Sequence, residues 1–457
     1  MPRIIHYDEA STAITAIVND LLGLPWLARA AIIDDLFGTF HLVLWLRDAR
    51  DNERLDAEWP AIEQQLVEAC ASFWAGRRLV TSETAPSPDH DICQQAWDAG
   101  TRLPDASERL RYVDRHRSRT SWFMPLRAPS QAAPTDLQAS APVIAFYSFK
   151  GGMGRTTAAA AYALRQAQAG RRVVAIDLDL DAPGLGRLLG TEAGGMPNPW
   201  GTVDFLLEHR ASYPMTEYRH VCARAELVGE QPIDVFPVGK IDELYLRKLA
   251  KIDLDLRDEE VVENHPVGIL LARIRAELKP DLIIADCRAG LSPISGFMLS
   301  PLADVHVVFS TASDQALDGL RRIVHRLGAD RLQAGLPQGE CVLVQAMLPG
   351  SSSGGEAARS FFDARVEDIF SFHYYERPTG DPATLSSDDT TWLLDDLELP
   401  DAPHHAIAVP YRERLADFRD LADIVDIMDE APYRAISARI DARLSGRGAA
   451  KPDPEDV

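Results

Sequence analysis

The chain has 457 residues, 46% of them hydrophobic, and a formal net charge of −22. That length allows two or three domains, and that apolar content is ample for soluble cores. The acidic balance, with no long basic run, argues against nucleic acid as a partner, because tight sequence-independent binding needs Lys and Arg to displace phosphate counterions.

The start, Met1-Pro2-Arg3-Ile4-Ile5, does not read as a signal peptide, and no apolar stretch has membrane-spanning length. A cytoplasmic chain is the expectation. Five cysteines, at 70, 93, 222, 287 and 341, form no C-x-x-C pair, so neither a disulfide framework nor a zinc site is indicated. Residues 1–125 read as an α+β domain of their own. Ala10–Leu22 and Pro25–Phe37 have apolar residues at helical spacing, and Phe40–Leu46 reads as a buried strand. Trp59–Trp74 reads as an amphipathic helix with Ile62, Leu66, Ala69 and Phe73 on one face, and Leu79–Thr81 as a short strand. Arg109, Arg111, Arg115, His116, Arg117 and Arg119 then lie close to Trp122 and Phe123. Such a cluster suits nucleic acid, an interface with the acidic remainder, or plain solvent. No catalytic constellation stands out in this domain. Residues 126–141, rich in Pro, Ala, Ser and Gln, read as a linker.

The apolar run Val143–Tyr147 leads into Phe149-Lys150-Gly151-Gly152-Met153-Gly154-Arg155-Thr156-Thr157, and the Ala-rich helical run Ala158–Ala169 leads out. Strand, glycine loop and helix make a phosphate-binding loop. The glycines let backbone N–H groups close on phosphate oxygens, and the helix start adds free N–H groups and the positive dipole end. Thr156 is placed to offer a hydroxyl to magnesium. The ordinary pattern G-x-x-x-x-G-K-[ST] is altered: Phe149 holds its first Gly position and Arg155 its Lys position, while Lys150 precedes the glycines. A second strand, Val173–Ile176, ends in Asp177-Leu178-Asp179, which puts carboxylates at the carboxyl edge of a βαβ unit, where such sheets bind ligands.

The loop resembles Lys-Gly-Gly-x-Gly-Lys-Thr, the mark of the deviant P-loop ATPases of the ParA/MinD type, with Arg at the second basic position. The resemblance covers about residues 142–430. It implies phosphate contacts from Gly151, Gly152, Met153, Gly154, Arg155, Thr156 and Thr157. It also implies magnesium held by Thr156, Asp177 and Asp286, and an attacking water positioned by Asp179. Asp286 closes the apolar strand Asp281–Ala285. Arg288 follows it where the family has Pro, either for transition-state charge or for a salt bridge on the loop. Gln345 stands where relatives carry an Asn near adenine, and Pro410 closes the last nucleotide-flanking strand. Lys150 matches the residue that crosses a nucleotide-sandwich dimer.

The expected fold is therefore α/β: a doubly wound, mainly parallel P-loop NTPase sheet over 142–430, with an insertion at 349–405, preceded by the smaller α+β domain. Residues 431–457 would add a C-terminal helix and an acidic tail. The apolar face of that helix is thin, which argues against a membrane anchor. The acidic stretch Asp381–Asp401 is either a loop in solvent or a contact for basic partners. The expected activity is an ATP-binding, slowly hydrolysing switch that forms an ATP-dependent homodimer and signals to an unidentified protein partner. Catalytic roles would fall to Asp179, Lys150 and Arg155. The alternative is a nucleotide-binding adaptor that does not turn over.

Overall fold

A computed structural model describes residues 5–35, 38–103, 106–114, 122, 126, 141–190, 199–211, 213–222, 225–252, 265–349, 353–377 and 391–445. The chain divides into two compact units, Met1–Ser118 and Arg119–Val457.

The first unit is a four-stranded sheet of β1 (Leu27–Asp34), β2 (Phe40–Leu46), β3 (Trp74–Ser82) and β4 (Leu110–Asp114) in the order β3-β2-β1-β4. Only β1 and β2 are antiparallel neighbours; β4 lies parallel to β1 and β3 parallel to β2. Helices Tyr7–Leu21 and Asn52–Cys70 cover one face with Ile14, Val18, Ile62 and Leu66, and helix His90–Ala99 covers the other with Cys93 and Ala96. The helical expectation for Pro25–Phe37 is corrected. Its aliphatic and alanine residues are buried on both sides of β1, so they lack the alternation that marks a half-exposed strand. Pairing with β2, Ala30 opposite Leu44 and Ile32 opposite Leu42, decides the conformation.

The described part of the basic and aromatic cluster is used in packing. Arg109 donates to the carbonyls of Leu22, Leu27 and Ala28, and Arg111 lies over the Trp97 ring at 4.6 Å. Arg115, His116, Arg117, Arg119 and Phe123 fall outside the described residues.

The second unit holds eight strands: β5 (Val143–Ser148), β6 (Val173–Leu178), β7 (His220–Cys222), β8 (Ile233–Phe236), β9 (Leu282–Cys287), β10 (Val305–Ser310), β11 (Glu340–Leu348) and β12 (Ile407–Pro410). Their order is β12-β11-β10-β5-β9-β6-β8-β7, and only β7 runs antiparallel to its neighbour. Helices on both faces explain why the strands are apolar throughout. Val143, Ala145 and Tyr147 point to one core with helices Pro266–Leu278 and Asp314–Leu327; Ile144 and Phe146 point to the other with helix Arg155–Gln168. Burying each large aliphatic or aromatic side chain here stabilises by about 1.5–3 kcal/mol. The β5 strand is central between β9 and β10, and the crossover from β9 to β10 reverses the strand order around it, the kind of switch point where such sheets have a crevice at their carboxyl edge.

Three features bear on the domain boundaries. The division falls at Ser118, before 125, and Trp122 packs within the second unit. The stretch 349–405, read as an insertion, lies between β11 and β12. Its helix Ser353–His373 buries Phe362, Val366 and Phe370 and is the crossover that parallel β11 and β12 require. Helix Ala431–Ser445 buries Tyr433, Ile436 and Ile440 beside helix Arg155–Gln168, and its Asp441 accepts from Tyr162 (2.9 Å) and Gln166 (3.0 Å). It is therefore part of this unit. Among the described residues, no helix is long and apolar enough to cross a membrane.

Gly319 sets the entrance to the glycine loop. A Cβ there would lie 2.0 Å from Phe149 Cγ, so this helix and Phe149 meet only because position 319 has no side chain. We expect Gly319→Ala to destabilise by about 1–3 kcal/mol through overpacking, outweighing the gain of up to about 1 kcal/mol in helix propensity. Thermal melting checks this; an unchanged or raised Tm would contradict it.

Candidate functional site

The loop after β5 turns twice through the left-handed region, at Gly152 (φ +74°) and Gly154 (φ +81°), which a side chain would strain. A Cβ built on Gly151, Gly152 or Gly154 meets no atom within 4 Å, so open space lies over this backbone. Ser148 ties the turn by donating to the Lys150 carbonyl (2.6 Å), and Met153 buries its side chain in the core below. The helix that follows has Gly154 as its N-cap and no acidic residue in its first turn. Its first N–H groups therefore have no side-chain cap, and its positive end is free for an anion. Arg155 places further positive charge there.

Three carboxylates face this loop. Asp177 and Asp286 are register partners on neighbouring β6 and β9, and both are wholly buried. Burial pushes both carboxyls up from the usual range, and the Asp286 charge raises Asp177 further. Asp286 Oδ2 accepts from Thr156 Oγ1 at 2.6 Å, while its Oδ1 is buried without a partner. Asp177 is spent on the backbone: Oδ1 accepts from Asp179 N (3.2 Å), and Oδ2 from Gly184 N and Gly186 N (both 3.0 Å). It holds the 179–186 loop in place. Close packing continues that effect, since a Cβ at Gly184 would come within 3.2 Å of Thr156 and one at Gly186 within 2.6 Å of Pro237.

Asp179 faces Arg155. Arg155 Nη2 lies 3.2 Å from Asp179 Oδ2 with both side chains under a tenth exposed, and Arg155 Nη1 is buried without a partner. Lys150 is exposed. Thr157 is buried under the loop. Arg288 pairs with Asp181, the salt-bridge alternative of its two expected roles, and so links the loop after Asp286 to the loop after Asp179.

Lys150 to Thr157, Asp177, Asp179 and Asp286 are thus brought together. Gln345 and Pro410 lie on β11 and β12, two and three strands from β5. Gln345 is buried, and its amide donates to the Ala358 carbonyl at 3.4 Å. Sequence reasoning missed Tyr245, whose hydroxyl donates to the Leu180 carbonyl (2.6 Å) beside Asp179, and Tyr147, whose hydroxyl donates to the Gly290 carbonyl (2.6 Å). Neither carries a spacing signal, because each contact joins segments far apart in the chain.

The donor set fits a hard divalent cation with phosphate. A hydroxyl, a carboxylate with an unmet oxygen and a cradle of N–H groups supply part of a shell that phosphate oxygens and water complete. Among the described residues, no group of three or more His, Cys, Asp or Glu is placed to hold a metal by itself.

Residues 144–334 match the family described as the CobQ/CobB/MinD/ParA nucleotide binding domain. The septum site-determining protein MinD of Helicobacter pylori is 25% identical over 217 residues, 47% of this chain and 70% of that one. Among solved structures, apo McdA of Cyanothece has a TM-score of 0.43 at 14% identity, covering 65% of this chain and 99% of its own. The ParA of pNOB8 bound to nonspecific DNA has a TM-score of 0.38 at 16% identity, covering 67% and 99%. Nothing in these comparisons supports the expectation against nucleic acid. The match supports a nucleotide-binding domain of the CobQ/CobB/MinD/ParA type over residues 144–334.

Proposed function

We propose that the chain is an ATP-dependent molecular switch with slow hydrolysis, whose ATP-bound form is a homodimer that engages a protein partner. The observation that carries this reading is the Thr156–Asp286 pair at the mouth of the glycine loop, with one Asp286 oxygen unmet. Thr156 and Asp286 would hold magnesium, with Asp177 behind them fixing the loop. The ion would neutralise phosphate charge in the reaction. Backbone N–H groups of Gly152 to Thr157 would bind the phosphates.

Arg155 explains slow turnover in this reading. Its planar guanidinium has five donors, so Nη2 can keep Asp179 while Nη1 takes a phosphate oxygen. A Lys, as a point charge on a flexible stem, would share less well between two acceptors. Leaving one member of a buried pair such as Arg155–Asp179 without its partner costs about 3–5 kcal/mol. Asp179 is therefore held away from the attacking water unless that pair opens. Conversion to Arg155→Lys should raise ATP turnover threefold or more in a phosphate-release assay. A slower variant that still binds ATP would contradict this account of Arg155.

The dimer is tested separately. With ATP and magnesium, light scattering should show a doubled mass for the full chain, and Asp179→Ala should prolong that state by blocking hydrolysis. Lys150→Ala should keep ATP affinity within about threefold and lose the dimer. A mass that ATP never changes would leave the adaptor reading as the better one.

A further inference from the structure

We propose that Trp122 is a positioning residue for the loop that follows Asp286, so that its indole reports the state of the nucleotide site. The inference rests on the nucleotide reading of that site and extends it to a residue remote in sequence.

Trp122 lies four residues beyond the end of the first unit, yet it is 5% exposed in the core of the second. A buried indole N–H needs an acceptor. Trp122 Nε1 donates at 2.7 Å to the carbonyl of Ser292, the N-cap of helix Pro293–Met298, which also accepts from Gly296 N at 3.0 Å. Its ring lies 5.6 Å from that of Tyr147, tilted by 47°. Tyr147 in turn donates to Gly290 in the same loop. Two aromatic side chains therefore hold Gly290 and Ser292.

The loop so held touches the site on two sides. Gly290 N donates to the Ser148 carbonyl at 3.3 Å, and Ser148 Oγ donates to the Lys150 carbonyl. Arg288, two residues past Asp286, pairs with Asp181. A phosphate that moves either loop by a fraction of a hydrogen-bond length changes the acceptor that Trp122 sees. Coupling of this kind is reciprocal: whatever moves Trp122 must also change nucleotide affinity. A tryptophan that only fills the core would have no such linkage, and this separates the two roles.

The test uses the full chain labelled with 5-fluorotryptophan. Its eight tryptophans are separated by 19F NMR, and the Trp122 resonance is identified by its loss in Trp122→Phe, or in Trp122→Tyr should the first variant not fold. Adding ATP and magnesium should move that resonance by more than its linewidth. The folded variant, which loses the indole donor, should change ATP affinity threefold or more. An unmoved resonance, or an unchanged affinity, in protein that calorimetry shows to bind ATP would overturn this proposal and leave the nucleotide site standing. No ATP binding at all would overturn both.

Discussion

Asp177 and Asp286 lie side by side on neighbouring parallel strands, both out of water, and the surrounding structure answers the repulsion between them. Asp177 is answered by three backbone N–H groups, which fold the following chain into a tight loop. Asp286 is answered on one oxygen by Thr156, the second residue of the helix that the glycine loop opens. Arg155 supplies the nearest positive charge and is shared with Asp179. What is left over is one unmet carboxylate oxygen and one unmet guanidinium nitrogen, one asking for a cation and the other for an anion. A magnesium–phosphate pair would supply both at once.

The fold makes this arrangement possible because the sheet is parallel. Parallel strands bring their carboxyl ends to one edge, so β5, β6 and β9 deliver the glycine loop, Asp177 and Asp286 to the same crevice. Glycines then decide the distances. Gly184 and Gly186 let the Asp179 loop lie against Thr156 and Pro237, and Gly319 lets Phe149 pack where the loop begins. Arg155 is the departure with chemical consequence, because its fork can serve two acceptors where a Lys serves one well.

The centre of the site was legible in the sequence because its residues sit at strand ends with fixed spacing. Apolar runs ending in Asp-x-Asp or Asp, and one ending in a glycine loop, can hardly be assembled otherwise. The first unit was less legible. In β1, alanines and isoleucines buried on both faces carry no period, so only the pairing with β2 reveals a strand. The helix at 353–373 reads as part of an insertion because a Gly- and Ser-rich stretch precedes it and an acidic one follows, and its place between parallel β11 and β12 comes only from the sheet order. Trp122 was grouped with the basic cluster before it, since sequence proximity says nothing about an acceptor 170 residues away. The Arg288–Asp181 pair was foreseen as one of two options, but its partner was not.

Calorimetric titration of ATP into the full chain, with magnesium present and then with it chelated, tests the central claim most directly. With magnesium, one ATP should bind per chain; chelation, or Asp286→Asn, should weaken binding tenfold or more, because Asp286 would then lose the ion that meets its free oxygen. Equal affinity in all three conditions, or no binding to well-folded protein, would contradict the account of this site.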